Sequence, residues 1–146
     1  MRGKGPASLP SPAPGQVIGY AYLWREEHRR GIEEGRKDRP SAIIATLVTA
    51  EGKTDVLVLP ITHTPPVRDG GVELPAAVKR RLGLDDLPSW VITTEANSFR
   101  WPGPDLRQMS NTGYGPFLFG YLPTDLFRKI IAQYRANAAK PIHRTD

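Results

Sequence analysis

The sequence predicts a mainly β domain that also holds α-helix, arranged as a small, mostly antiparallel barrel. Three features point there. Several short runs have strand preference, only one short helical segment and one terminal helical segment accompany them, and no helix lies between successive strands where a parallel crossover would require one. At 146 residues the chain is long enough to bury a real core and too short for two domains. The expected organisation is a tail over 1–14, one folded domain over 15–138 and a second tail over 139–146.

Each element has its own warrant. Residues 1–14 carry four prolines among mostly small and polar residues, which cannot bury enough to order themselves. From Gln16 the run QVIGYAYLW is apolar and aromatic, a first strand that ends at the charged stretch from Arg25. Residues 25–39 hold six basic and five acidic side chains with two glycines, a poor helical pattern that reads as an extended, mobile loop. Pro40 biases Arg39 toward an extended backbone and so opens a second strand, SAIIATLVTA. Glu51-Gly52-Lys53 is a tight turn, and TDVLVLPIT is a third strand, apolar on both faces, that closes a hairpin with the second. The consecutive prolines of HTPPVRDGG end the ladder. Pro75 and Gly83 bracket a short helix, SWVITTEANSFRW supplies a fourth strand, and residues 105–116 read as irregular. In the last segment Leu126, Phe127, Ile130, Ile131 and Tyr134 share one helical face, with Thr124 placed as the N-cap.

Composition narrows the chemistry. Twenty Lys and Arg against fifteen Asp and Glu leave a formal charge of +5, which suits a polyanionic partner. The chain has no cysteine, and His28, His63 and His143 are too scattered for a metal-ligand pattern, so no metal and no cofactor is expected. No phosphate-binding glycine loop, nucleophile elbow or paired-carboxylate pattern is present. The N-terminus lacks the apolar stretch of a signal peptide and no run is long enough to span a bilayer, so a soluble, cytoplasmic protein without membrane contact is expected.

Four motifs in order carry a resemblance. Gly15-Gln16-Val17-Ile18 opens a strand, Gly31-Ile32-Glu33 lies in the charged loop, Lys37-Asp38-Arg39-Pro40 leads into an apolar strand, and Leu59-Pro60-Ile61-Thr62 closes the next. With the acidic Glu95 between Trp90 and Trp101, and a closing helix after Leu122-Pro123, this order resembles the MazF/PemK toxins of bacterial toxin-antitoxin systems, from about Gln16 to Ala136. The resemblance implies an SH3-like β-barrel, a homodimer, and metal-independent endoribonuclease activity on single-stranded RNA, opposed by a cognate antitoxin. It further implies that Arg39 and Thr62 match the family's catalytic arginine and its Thr or Ser partner. Glu33 and Glu95 then match its acidic positions, while Thr93 stands where some relatives carry an arginine.

Such a site has a chemical logic. RNA supplies its own nucleophile, the 2′-hydroxyl, so the protein must stabilise charge at the phosphoryl oxygens and move protons. Arg39 presents a planar fork of donors to phosphate, Thr62 adds a neutral hydroxyl, and Glu33 or Glu95 is the candidate proton acceptor. Arg36, Lys37, His63, Lys79 and Arg80 are the candidate RNA contacts. Each has an ordinary alternative: Arg39-Pro40 as a solvated strand entrance, Thr62 as a loop cap, Lys79-Arg80-Arg81 as a solvated helix face. Trp24 and Trp101 read as core or interface packing, and Asn97 is too generic to assign. Two other function classes fit the same elements, a non-catalytic barrel that binds nucleic acid or protein and a CcdB-like toxin that binds a topoisomerase.

Overall fold

A computed structural model of the chain describes residues 11–32, 37–109 and 115–144. The elements run β1 (Gln16–Tyr20), α1 (Arg25–Arg29), β2 (Arg39–Val48), β3 (Thr54–Thr62), β4 (Gly71–Glu73), α2 (Ala76–Leu82), β5 (Trp90–Ile92), β6 (Asn97–Arg100), β7 (Leu118–Tyr121), α3 (Thr124–Asn137) and β8 (Ile142–His143). The eight strands form one sheet in the order β4-β5-β3-β2-β1-β7, with β6 paired to β3 and β8 paired to β6. Every pairing is antiparallel except β6 with β8. Among the described residues β7 and β4 do not pair, so the ladder does not close on itself.

β2 and β3 make the expected hairpin, from Ser41 opposite Pro60 to Val48 opposite Thr54. Gly52, at φ +79°, takes the left-handed conformation that the turn requires and that side chains resist. On its other side β3 has two successive partners. Asp55 to Val58 pair with β6, and Ile61 and Thr62 pair with β5. The change comes at Leu59-Pro60, where proline has no N–H to give to a neighbour. The segment expected as one fourth strand is therefore two, β5 and β6, joined by 93–96.

Side chains alternate across the strands, and both faces of the sheet are covered. Val17, Ala42, Ile44, Leu59 and Ile61 face a cluster that includes Val78 and Leu82 of α2 and Ile130 of α3. Ile18, Tyr20, Ile43, Val56 and Val58 face an aromatic cluster with Tyr22 and Phe99. Tyr20 stacks on Phe99 with ring centroids 4.7 Å apart. This two-sided burial explains the continuous apolar runs of β1 to β3. Gly19 is needed for another reason: a Cβ there would lie 2.3 Å from the Arg107 carbonyl, so only glycine lets residues 105–107 run alongside β1.

Other expectations are corrected. Residues 25–29 are a short helix, because the Glu27 carboxylate accepts the Trp24 N–H (3.1 Å) and supports the first turn. Thr124 is the first helical residue of α3 and Pro123 takes the preceding position, with the Phe127 N–H reaching the Pro123 carbonyl. Within the expected tail 139–146, β8 adds to the sheet beside β6. The three-residue β4 and the four-residue β7 have no period long enough to read from sequence. No helix among the described residues is long and apolar enough to cross a membrane.

Leu59 is fully buried on β3, opposite Ala42 of β2. Leu59→Ala is expected to cost about 2–5 kcal/mol, read as a lowered midpoint in urea with the slope unchanged.

Candidate functional site

Arg39 is the first residue of β2 and stands opposite Tyr20, the last residue of β1. Thr62 is the last residue of β3 and stands opposite Trp90. Glu95 lies in the connection that leaves β5. Arg39, Thr62 and Glu95 converge on one cavity of about 470 Å³, lined also by Trp24, Arg25, Thr64, Pro65, Pro66, Val67, Ile92 and Thr94.

The Arg39 guanidinium lies over the Trp24 ring, 5.0 Å from its centroid, and Nη1 donates to the Ile61 carbonyl at 3.4 Å, at the long end for a hydrogen bond. Its Nε is buried and makes no hydrogen bond among the described residues. Burial lowers the guanidinium's proton affinity, with Glu27 and Tyr22 acting in the opposite direction, yet arginine remains a cation at neutral pH. A half-buried cation on an aromatic plate with an unmet donor is a poor end state for folding alone and a good partner for an incoming anion.

Glu95 is held from the other side. Its Oε1 accepts the Arg25 N–H at 2.8 Å and the Tyr22 hydroxyl at 3.3 Å. Burial raises its pKa, and the bonds from Arg25 and Tyr22 work against that rise. The Tyr22 hydroxyl is itself raised, first by burial and then by Glu95, so it remains a donor. Thr62 Oγ1 accepts the Thr64 N–H at 3.2 Å, so the hydroxyl caps the loop as the plainer sequence reading held, and also borders the cavity. Accepting that bond leaves its proton to give.

The remaining expected residues lie elsewhere. Glu33 and Arg36 fall outside the described residues. Lys37 is exposed, next to Asp38, which pairs with Arg107 at 3.2 Å. His63 points to Asp85, with 2.9 Å between Nε2 and Oδ2. Arg80 is exposed on α2 beside a separate hollow between α2 and 84–88. Lys79 is corrected: it is 4% exposed, and its ammonium is held by Asp85 Oδ1 and the Leu87 carbonyl, so it has no surface to offer RNA. Thr93 is also buried, bonded to Gln133 (2.5 Å) and Asn137 (3.0 Å) of α3.

Sequence reasoning missed three contributors. Trp24 packs against the aromatic cluster as expected and is also the plate under Arg39. Arg25 brings a second guanidinium to the cavity, its Nη1 on the Thr94 carbonyl at 3.3 Å. Tyr22 supports Glu95. The alternation of QVIGYAYLW could have separated Tyr22 from its neighbours, but only the bend at 93–96 reveals its partner. Among the described residues no group of three His, Asp or Glu side chains converges as a metal site would.

No protein-family model matches this chain, and no curated protein matches it.

Glu95 gives a stability test. A carboxyl whose folded pKa is raised binds more protons when folded, so its ionisation weakens the fold above the raised value and has no effect below the unfolded one. Glu95→Gln is expected to melt higher than the parent at pH 7, and the gap is expected to close as the pH falls below the ordinary value of 4.5 in thermal scans.

Proposed function

We propose that this chain is a metal-independent endoribonuclease of the MazF/PemK kind, an SH3-like barrel that cuts single-stranded RNA and is held in check by an antitoxin. The observation that carries the reading is the meeting of Arg39, Thr62 and Glu95 in one cavity from three separate stretches of sequence. The order of motifs along the chain and the hairpin between Arg39 and Thr62 support it, as does the basic excess of +5. A homodimer in the cytoplasm is part of the same reading.

The chemistry is a transesterification. The 2′-oxygen attacks the adjacent phosphorus and the bond from phosphorus to the 5′-oxygen breaks. The products are a 2′,3′-cyclic phosphate on one fragment and a 5′-hydroxyl on the other. Arg39, which lines the cavity, offers its guanidinium fork to the phosphoryl oxygens, where negative charge gathers. Arg25 adds charge at the rim, and the Thr62 hydroxyl donates to the same phosphate. Ionised Glu95, its proton affinity raised by burial, takes the 2′-hydroxyl proton. The departing 5′-oxygen is protonated from the same carboxyl or from water. Arg39, which stays a cation, needs no role as a base.

The test incubates purified protein with a long unstructured RNA in EDTA and maps the new ends. Cleavage leaving cyclic phosphate ends is expected. Arg39→Ala is expected to lower the rate by about a hundredfold to a thousandfold with an unchanged melt. Glu95→Gln is expected to lower it by about a hundredfold or more and to remove the acidic limb of the pH–rate profile. RNA that binds and is never cut would replace this reading with a binding-only barrel, and cleavage that needs magnesium would overturn the mechanism.

A further inference from the structure

We infer that Arg144 is a positioning residue of the Arg39–Glu95 site, acting through Asn97 on the one segment that supports both groups. For its activity readout this rests on the proposed nuclease function; its geometry does not.

Residues 21–24 join β1 to α1 and lie in no strand, yet Ala21, Tyr22 and Leu23 are almost wholly buried. This segment holds Arg39 and Glu95 in place. Tyr22 donates to Glu95, Trp24 underlies Arg39, and the next residue, Arg25, gives its N–H to Glu95. A buried stretch outside the sheet must satisfy its backbone in another way. Here the Asn97 side chain does so: Oδ1 accepts the Leu23 N–H and Nδ2 donates to the Leu23 carbonyl, both at 2.9 Å. One amide thus stands in for a strand neighbour. Ala21 is tied at both ends as well, its N–H to the Asp105 carbonyl (2.8 Å) and its carbonyl to Arg144 Nη1 (3.0 Å).

Arg144 joins these bonds into one network. Its Nη1 also reaches Asn97 Oδ1 at 3.1 Å and the Tyr20 hydroxyl at 3.3 Å, Nη2 pairs with Asp105 Oδ2 at 3.0 Å, and the guanidinium lies 5.6 Å from the Tyr20 ring centroid. Arg144 is 7% exposed, Asp105 4% and Asn97 fully buried. A strap brings it there. β8 runs parallel to β6, with Ile142 N–H on the Ala96 carbonyl (2.9 Å) and Arg144 N–H on the Ser98 carbonyl (2.7 Å). Ala96 directly follows Glu95, so the strap grips the site-bearing connection from its far side while the guanidinium fixes 21–24 from within. Buried polar networks of this kind select one geometry, because each donor and acceptor has few other places to go.

The test compares the parent with Asp105→Leu/Arg144→Met, which removes both ions together and leaves no lone buried charge. Arg144→Lys is run beside it, since an ammonium can keep Asp105 company but lacks the fork that spans Ala21 and Asn97. In variants with a parental circular dichroism spectrum and a cooperative melt, carbon NMR reads the Glu95 titration and proton–nitrogen NMR reads the Trp24 indole. The expected result is a Glu95 midpoint that moves down toward the ordinary carboxylate range and a displaced Trp24 signal. RNA cleavage is expected to show kcat lowered about ten- to a hundredfold at nearly constant KM. A folded variant that keeps the parental Glu95 midpoint and Trp24 signal overturns the inference, whatever its rate. A parent that cuts no RNA removes the nuclease reading alone, and the two NMR signals still decide the role of Arg144.

Discussion

The partner change along β3 is the constraint from which the rest of the site follows. A strand with hydrogen-bonded neighbours on both sides needs every N–H, and Pro60 has none. β3 answers by pairing with β6 before that point and with β5 after it. The chain between those two short strands has to turn aside at 93–96. That detour carries Thr94 and Glu95 off the sheet, next to the end of β3 where Thr62 stands, and facing the start of β2 where Arg39 stands. A single imino acid thus turns a regular ladder into a ladder with a hollow at its end.

Electrostatically the hollow is arranged in opposition. Arg39 and Arg25 approach from β2 and α1, and Glu95 from the connection between β5 and β6, each anchored to backbone or to an aromatic ring before any ligand arrives. Burial pulls the two main groups toward their neutral forms in opposite senses, lowering the arginine and raising the carboxyl. The sites are close enough to the surface that the arginine keeps its charge. What burial changes is readiness: a carboxylate with raised basicity and a cation with a donor to spare both gain from contact with a phosphodiester.

The larger elements could be read from sequence because their patterns are long. β2 and β3 are strands of ten and nine residues around Gly52, and α3 carries an apolar face from Leu126 to Tyr134. Strands of two to four residues leave no such trace, so β4, β7 and β8 were not legible. The same holds for the site. Pro40 and the prolines after Thr62 mark Arg39 and Thr62 as strand ends, and only the resemblance in motif order singled them out as site residues. Lys79 misled because the charge pattern of Lys79-Arg80-Arg81 does not say which of three adjacent helical residues points inward; Asp85, six residues on, decides it. Trp24, Asn97 and Arg144 act through partners distant in sequence, which no local pattern encodes.

The buried ion pair of Arg144 and Asp105 also bears on how a polyanion would sense this molecule from afar. It withdraws one cation and one anion from solvent together, so it leaves the formal excess of +5 unchanged. Long-range approach of a nucleic acid would therefore be governed by the full imbalance and fade as ionic strength rises. The interior network, shielded from those ions, would keep its shape across the same range.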